Sequence, residues 1–68
     1  LISPMPGKIF KVLKSAGEEV IKGETVLILE AMKMEHPIKA TNDGVIKKIL
    51  FNEGELVSGG VQLVELDV

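Results

Sequence analysis

Gly7-Lys-Ile-Phe-Lys-Val-Leu-Lys-Ser-Ala-Gly-Glu-Glu-Val-Ile-Lys-Gly-Glu-Thr-Val-Leu-Ile-Leu-Glu30 decides the fold, because the chain restates it 37 residues later. The second version runs Gly44-Val-Ile-Lys-Lys-Ile-Leu-Phe-Asn-Glu-Gly-Glu-Leu-Val-Ser-Gly-Gly-Val-Gln-Leu-Val-Glu-Leu-Asp67. Nine of the 24 aligned positions are identical, where ordinary composition gives about one or two. Six of the seven glycines fall into matched pairs: Gly7/Gly44, Gly17/Gly54 and Gly23/Gly60. Glycine adopts backbone conformations that other residues avoid, so matched glycines mean matched turns. Gly17 and Gly54 are therefore expected in equivalent conformations. The reading is two copies of one supersecondary unit, each too small to fold singly, closing a shared core.

Each copy reads as strands. Lys8–Lys14 and Val45–Phe51 are short, rich in β-branched residues and bounded by Gly, Asn, Asp or Ser. Helix caps are missing, and Gly or Pro recurs often enough to stop a long helix. Alternation is imperfect: Ile9 and Val12 cannot share a face of a regular strand, nor can Ile46 and Ile49. A bulge between them, or cover on both faces, would resolve this. Ser15-Ala-Gly17, Asn52-Glu-Gly54, Lys22-Gly23 and Ser58-Gly-Gly60 read as turns, and Asn42-Asp43-Gly44 as a tight one. Thr25–Glu30 and Val61–Asp67 supply the last strand of each unit. With short strands around Val20 and Val57 and edge strands at each end, the count is about eight. The expected fold is all-β: a flattened barrel of two four-stranded sheets with quasi-two-fold internal symmetry.

Composition removes most function classes. The 68 residues make one domain, with no Cys to staple it and one His, so a structural zinc site is excluded. All eight basic residues are Lys, against ten acids, and two Phe are the only aromatics. That excludes the basic stripe or stacking platform of a nucleic-acid binder. The apolar run Val26-Leu-Ile-Leu29 is far short of the roughly 20 residues of a membrane helix. Leu1 is not an initiator Met and no signal pattern precedes it, so the chain reads as a piece of a longer protein.

Residues 31–43 have no evident counterpart in the repeat. Lys33 stands between two methionines directly after an apolar strand, where straight continuation would place it on the face of Leu27 and Leu29. A turn at Ala31–Met34 removes that conflict and projects Lys33 from the tip. Methionine is flexible and polarizable, and suits surfaces that several partners touch.

Glu30-Ala-Met-Lys-Met34 resembles the attachment motif of biotin carboxyl carrier domains, in which the central Lys is biotinylated. The frame is similar to the same family: Ser3-Pro-Met-Pro-Gly7, Gly17-Glu-Glu-Val20 and Gly23 before the motif, then Asp43-Gly44, Gly54-Glu-Leu-Val57 and Gly60 after it. The resemblance covers residues 2–67. It implies the barrel-sandwich hybrid of biotinyl and lipoyl domains, and a carrier domain over residues 1–68 with its hairpin at about 30–36. It makes Lys33 the attachment point of a covalent biotin cofactor, with Ala31, Met32 and Met34 around it. Glu30 and Glu35 become candidates for recognising the ligase or partner domains, and His36 is expected on an exposed strand face with no catalytic part. No catalytic or metal-binding residue is expected in the domain.

The implied partners are a biotin protein ligase, a biotin carboxylase and a carboxyltransferase, which passes the carboxyl group to an acyl-CoA or a keto acid. An extended Lys–biotin arm of about eleven bonds, each advancing ~1.25 Å, would reach on the order of 14 Å. The opening and the Met34-Glu-His-Pro-Ile-Lys-Ala40 stretch look most like the C-terminal carrier region of acyl-CoA carboxylase α subunits of the methylcrotonyl- or propionyl-CoA type. Carriers of pyruvate carboxylase and of biotin-dependent decarboxylases share these motifs. The thumb insertion of bacterial-type acetyl-CoA carboxylase carriers is absent, because the two halves align without a gap. Lys14 stands where the family usually has a small apolar residue. A lipoyl domain would usually read Asp-Lys-Ala at the turn, and an unmodified adaptor of this fold would have no reason to keep Ala31-Met-Lys-Met34. Neither nucleic acid nor membrane is an expected partner. The isolated domain is expected to be a monomer, and its setting a bacterial cytoplasm or a mitochondrial matrix.

Overall fold

The computed structural model describes residues 1–67, and among them every regular element is a strand. In order these are β1 (Gly7–Val12), β2 (Glu19–Val20), β3 (Thr25–Ala31), β4 (Met34–Lys39), β5 (Gly44–Ile49), β6 (Leu56–Val57) and β7 (Val64–Asp67). They form two antiparallel sheets, ordered β4-β3-β1-β6 and β2-β5-β7.

The broken alternation resolves as a bulge in both copies. In β1 the register slips between Ile9↔Leu29 and Lys11↔Ile28, and in β5 between Ile46↔Leu66 and Lys48↔Glu65. One extra residue in each long strand lets Ile9 and Ile46 bury completely while Val12 and Ile49 still pack against the same core. Leu27, Leu29, Val26, Leu63 and Val64 fill the rest of it.

The copies are interlocked. Gly7 pairs with Val57 and Gly44 with Val20, so each unit's short strand completes the other unit's sheet. The loops exchange bonds in the same reciprocal way. Gly17 N–H donates to Ile46 O and Gly54 N–H to Ile9 O, both at 2.7 Å. Ile46 N–H returns a bond to Glu18 O and Ile9 N–H to Glu55 O, both at 2.9 Å. Each loop is also braced by its own carboxylate: Glu18 accepts from Ser15 N–H and Glu55 from Asn52 N–H.

The two-fold relation reaches further than the sequence repeat. Ala40 N–H donates to Glu24 O and Ser3 N–H to Val61 O, while Gly23 N–H donates to Ala40 O and Gly60 N–H to Ser3 O. Likewise Thr25↔Lys39 corresponds to the bridge Ile2↔Gln62. Residues 38–43, read from sequence as lacking a counterpart, therefore match residues 1–6. The likeness was hidden because no residue is identical across those six positions. This also accounts for a three-stranded second sheet where four strands were expected. The counterpart of β4 is the isolated bridge Ile2↔Gln62, the image of the Thr25↔Lys39 rung at the end of β4. Asn42-Asp43-Gly44 is not a hairpin turn: β4 and β5 lie in different sheets, and the segment is a bend crossing between them. Its Asp43 carboxylate accepts from Lys22 N–H at 2.7 Å.

Lys14, out of character for its position, reaches Glu24 with Nζ 3.1 Å from Oε2 and joins the end of β1 to the approach of β3. The Lys14 ammonium, followed by a bond from Ile21 N–H, holds the Glu24 carboxyl below the usual carboxylate range.

Candidate functional site

Among the described residues, the one part that the two-fold relation leaves single is the tip joining β3 to β4. The strands stay in register to the end, through Leu29↔His36, Glu30↔Glu35 and Ala31↔Met34, leaving only Met32 and Lys33 in the loop. Both have positive φ, 54° and 64°. Positive φ at both central residues of a two-residue loop marks a type I′ turn, whose twist matches the flanking strands. Asn-Gly suits such a turn; Met-Lys does not, and each side chain costs roughly 1 kcal/mol or more in that conformation. The well-paired strands below impose it.

The turn carries its side chains outward. Met32 is 89% exposed and Met34 62%, and Lys33 is exposed between them. Among the described residues no carboxylate pairs with the Lys33 ammonium; the ion pair present is Lys14–Glu24. The residues present therefore suit a covalent prosthetic group on Lys33.

Ala31 is buried at the root of the hairpin and supports it from within. β1 passes close by it at Gly7. A Cβ on Gly7 would stand 2.6 Å from Glu30 O and 3.2 Å from Ala31 Cβ. Gly7 is thus a positioning residue that sequence reading did not assign to the site. Its signal was present, as the first of the matched glycines. Glu30 lies between Lys8 on β1 and Glu35 on β4, so a like-charged pair faces outward just below the tip. His36, expected exposed, is half-buried, because its position across from Leu29 turns it inward. The geometry brings Met32, Lys33 and Met34 together at one tip, with Glu30 and Glu35 one ladder rung below Ala31 and Met34.

The family described as "Biotin-requiring enzyme" matches residues 1–66. The chain is 47% identical over 66 residues to the mitochondrial methylcrotonoyl-CoA carboxylase subunit alpha of Mus musculus, which covers 97% of this chain and 9% of that one. It is 42% identical over 66 residues to the biotin carboxyl carrier protein of acetyl-CoA carboxylase of Solanum lycopersicum, covering 97% of this chain and 94% of that protein. Among solved structures, Kluyveromyces lactis urea carboxylase superposes with a TM-score of 0.93 at 34% identity, covering 98% of this chain and 6% of the other.

Proposed function

The chain belongs to the family of biotin-requiring enzymes and is a biotin carboxyl carrier domain, and from that premise we propose that Lys33 is its point of biotin attachment. The observation that carries this is the type I′ tip, where Lys33 stands exposed in the one stretch that, among the described residues, has no symmetric counterpart. Biotin bound there supplies a ring nitrogen that accepts and later gives up a carboxyl group. The chain's own part is to bind and orient. The strained, well-paired turn fixes the root of the arm, so the tethered group samples a small volume at high effective concentration. Met32 and Met34 offer adaptable apolar contact on either side of the arm. Amide formation at Nζ removes the Lys33 charge, leaving Glu30 and Glu35, with Lys8 across from Glu30, as the charged residues next below the tip.

The partners that fit this role are a biotin protein ligase, which reads the positioned turn, and the biotin carboxylase and carboxyltransferase between which the arm travels. An acyl-CoA acceptor is supported by the likeness to the methylcrotonoyl-CoA carboxylase subunit, of which the chain spans 9%. The parent enzyme is then a carbon–carbon bond-forming ligase, the carrier itself holding no active site and working as a monomeric unit.

The test is to incubate the domain with a biotin protein ligase, biotin and ATP, probe with streptavidin and take an intact mass. One biotin adduct is expected, and none on Lys33→Arg. No adduct on the wild type, or an adduct surviving Lys33→Arg, would sink the assignment; a lipoyl mass obtained with a lipoate ligase alone would replace it with the lipoyl reading.

A further inference from the structure

We infer that Met32 and Met34 form a peroxide-sensitive pair whose oxidation to sulfoxides impairs modification of Lys33. The inference rests on the assignment of Lys33 as the attachment point, and its test separates the two. Three observations carry it. The domain has no Cys, Trp or Tyr, so its thioethers are the principal side chains open to mild two-electron oxidation. Of its three methionines, Met32 and Met34 are 89% and 62% exposed, while Met5 is half-buried and packed against the core. And both exposed thioethers flank Lys33, one beside it in the turn and one on the first residue of β4. Nothing in the frame of the fold requires methionine at either position: neither side chain is part of the core.

The step balances simply. A hydroperoxide gives one oxygen to each sulfur: the O–O bond breaks, an S–O bond forms, sulfur is oxidised by two electrons and water (or an alcohol) leaves. Each apolar, flexible side chain becomes polar and chiral. The new S=O is a hydrogen-bond acceptor beside an ammonium that carries three donors. An enzyme that packs apolar surface against the tip loses that contact, while the barrel, which does not use these side chains, is untouched. Methionine sulfoxide reductases reverse the change, so the device is reversible.

The experiment treats the unmodified domain with hydrogen peroxide and maps the oxygen by peptide mass. It then compares initial rates of biotinylation by a biotin protein ligase before oxidation, after it, and after reduction by methionine sulfoxide reductases A and B. Met32 and Met34 should gain oxygen several-fold faster than Met5. The rate should fall by on the order of tenfold, the scale of one lost buried methionine contact, and return on reduction. Met5→Leu should respond like the wild type. Met32→Leu and Met34→Leu, each measured against its own unoxidised rate, should lose part of the response. Amide spectra by NMR should shift only around the hairpin on oxidation. Shifts spread through the core would assign the loss to unfolding and overturn the inference. So would an unchanged rate with both sulfoxides present. If the reduced protein takes no biotin at all, the Lys33 assignment itself fails.

Discussion

Gly17 and Gly54 have φ of 92° and 91°, with open space where a Cβ would stand. An alanine at either site therefore meets no clash, and its cost is backbone conformation alone. Each Gly→Ala change should destabilise by more than about 1 kcal/mol, and by similar amounts, in denaturant unfolding. Dissimilar or negligible costs would mean the two turns are not energetically equivalent. The Lys14–Glu24 pair makes a prediction of a different sign. Its folded carboxyl lies below the ordinary range, so the unfolded state binds the proton more tightly. The pair's stabilisation is then fully present above the ordinary carboxylate pKa of about 4 and is lost as pH falls through the lower folded value. Wild type should unfold at a higher temperature than Glu24→Gln at neutral pH, and the two should converge in strong acid. A gap that persists in acid would show that something other than the ionised pair supplies it. The stabilisation is modest, since both side chains are partly exposed.

At the scale of the element, the β3–β4 hairpin sets local propensity against function. Asn at residue 32 or Gly at residue 33 suits a type I′ turn better than Met or Lys. Met32→Asn and Lys33→Gly should each raise stability, by up to about 1 kcal/mol, the second while removing the attachment point. A loss of stability in both would mean the side chains contribute to the turn in a way their exposure does not reveal. Exchanging Met32 and Lys33 keeps composition and charge but moves the amine one position around the turn. Biotinylation should drop by on the order of 100-fold if a ligase reads geometry, the scale expected when a reacting group is misplaced by ångströms. A wild-type rate for the exchanged hairpin would mean that the turn is read as a flexible peptide. The turn at Ala31–Met34 was legible in the sequence because Lys33 on the Leu27–Leu29 face was untenable. The matched bulges were legible as a contradiction in alternation at Ile9/Val12 and Ile46/Ile49. Gly7's closeness to Ala31 and the inward His36 were not, because both depend on which strand lies across the sheet, and spacing along one strand is silent on its neighbour.

At the scale of the molecule, the exchange of strands and loop bonds between copies means neither half holds a complete sheet. Peptides 1–37 and 38–68 should each lack a cooperative thermal transition alone and regain one on mixing. Cooperative unfolding of either half by itself would contradict the interlock. The sequence repeat announced the duplication, since glycines and core aliphatics are constrained by backbone and packing. It understated its extent, because Ser3 and Ala40 correspond through backbone bonds that any residue of small size can make. The bend at Asn42-Asp43-Gly44 was misjudged for the same reason: its composition suits a hairpin, but the partner strand is chosen by the fold.

The symmetry has one further consequence. The operation that carries Gly7–Glu30 onto Gly44–Asp67 leaves residues 31–37 without an image among the described residues. A frame that is nearly the same after half a turn thus carries one tip that is not. A partner enzyme that grips the frame meets two nearly alike faces, yet only one orientation presents Lys33, so docking direction is set by an asymmetry of seven residues, 31–37, in an otherwise two-fold object.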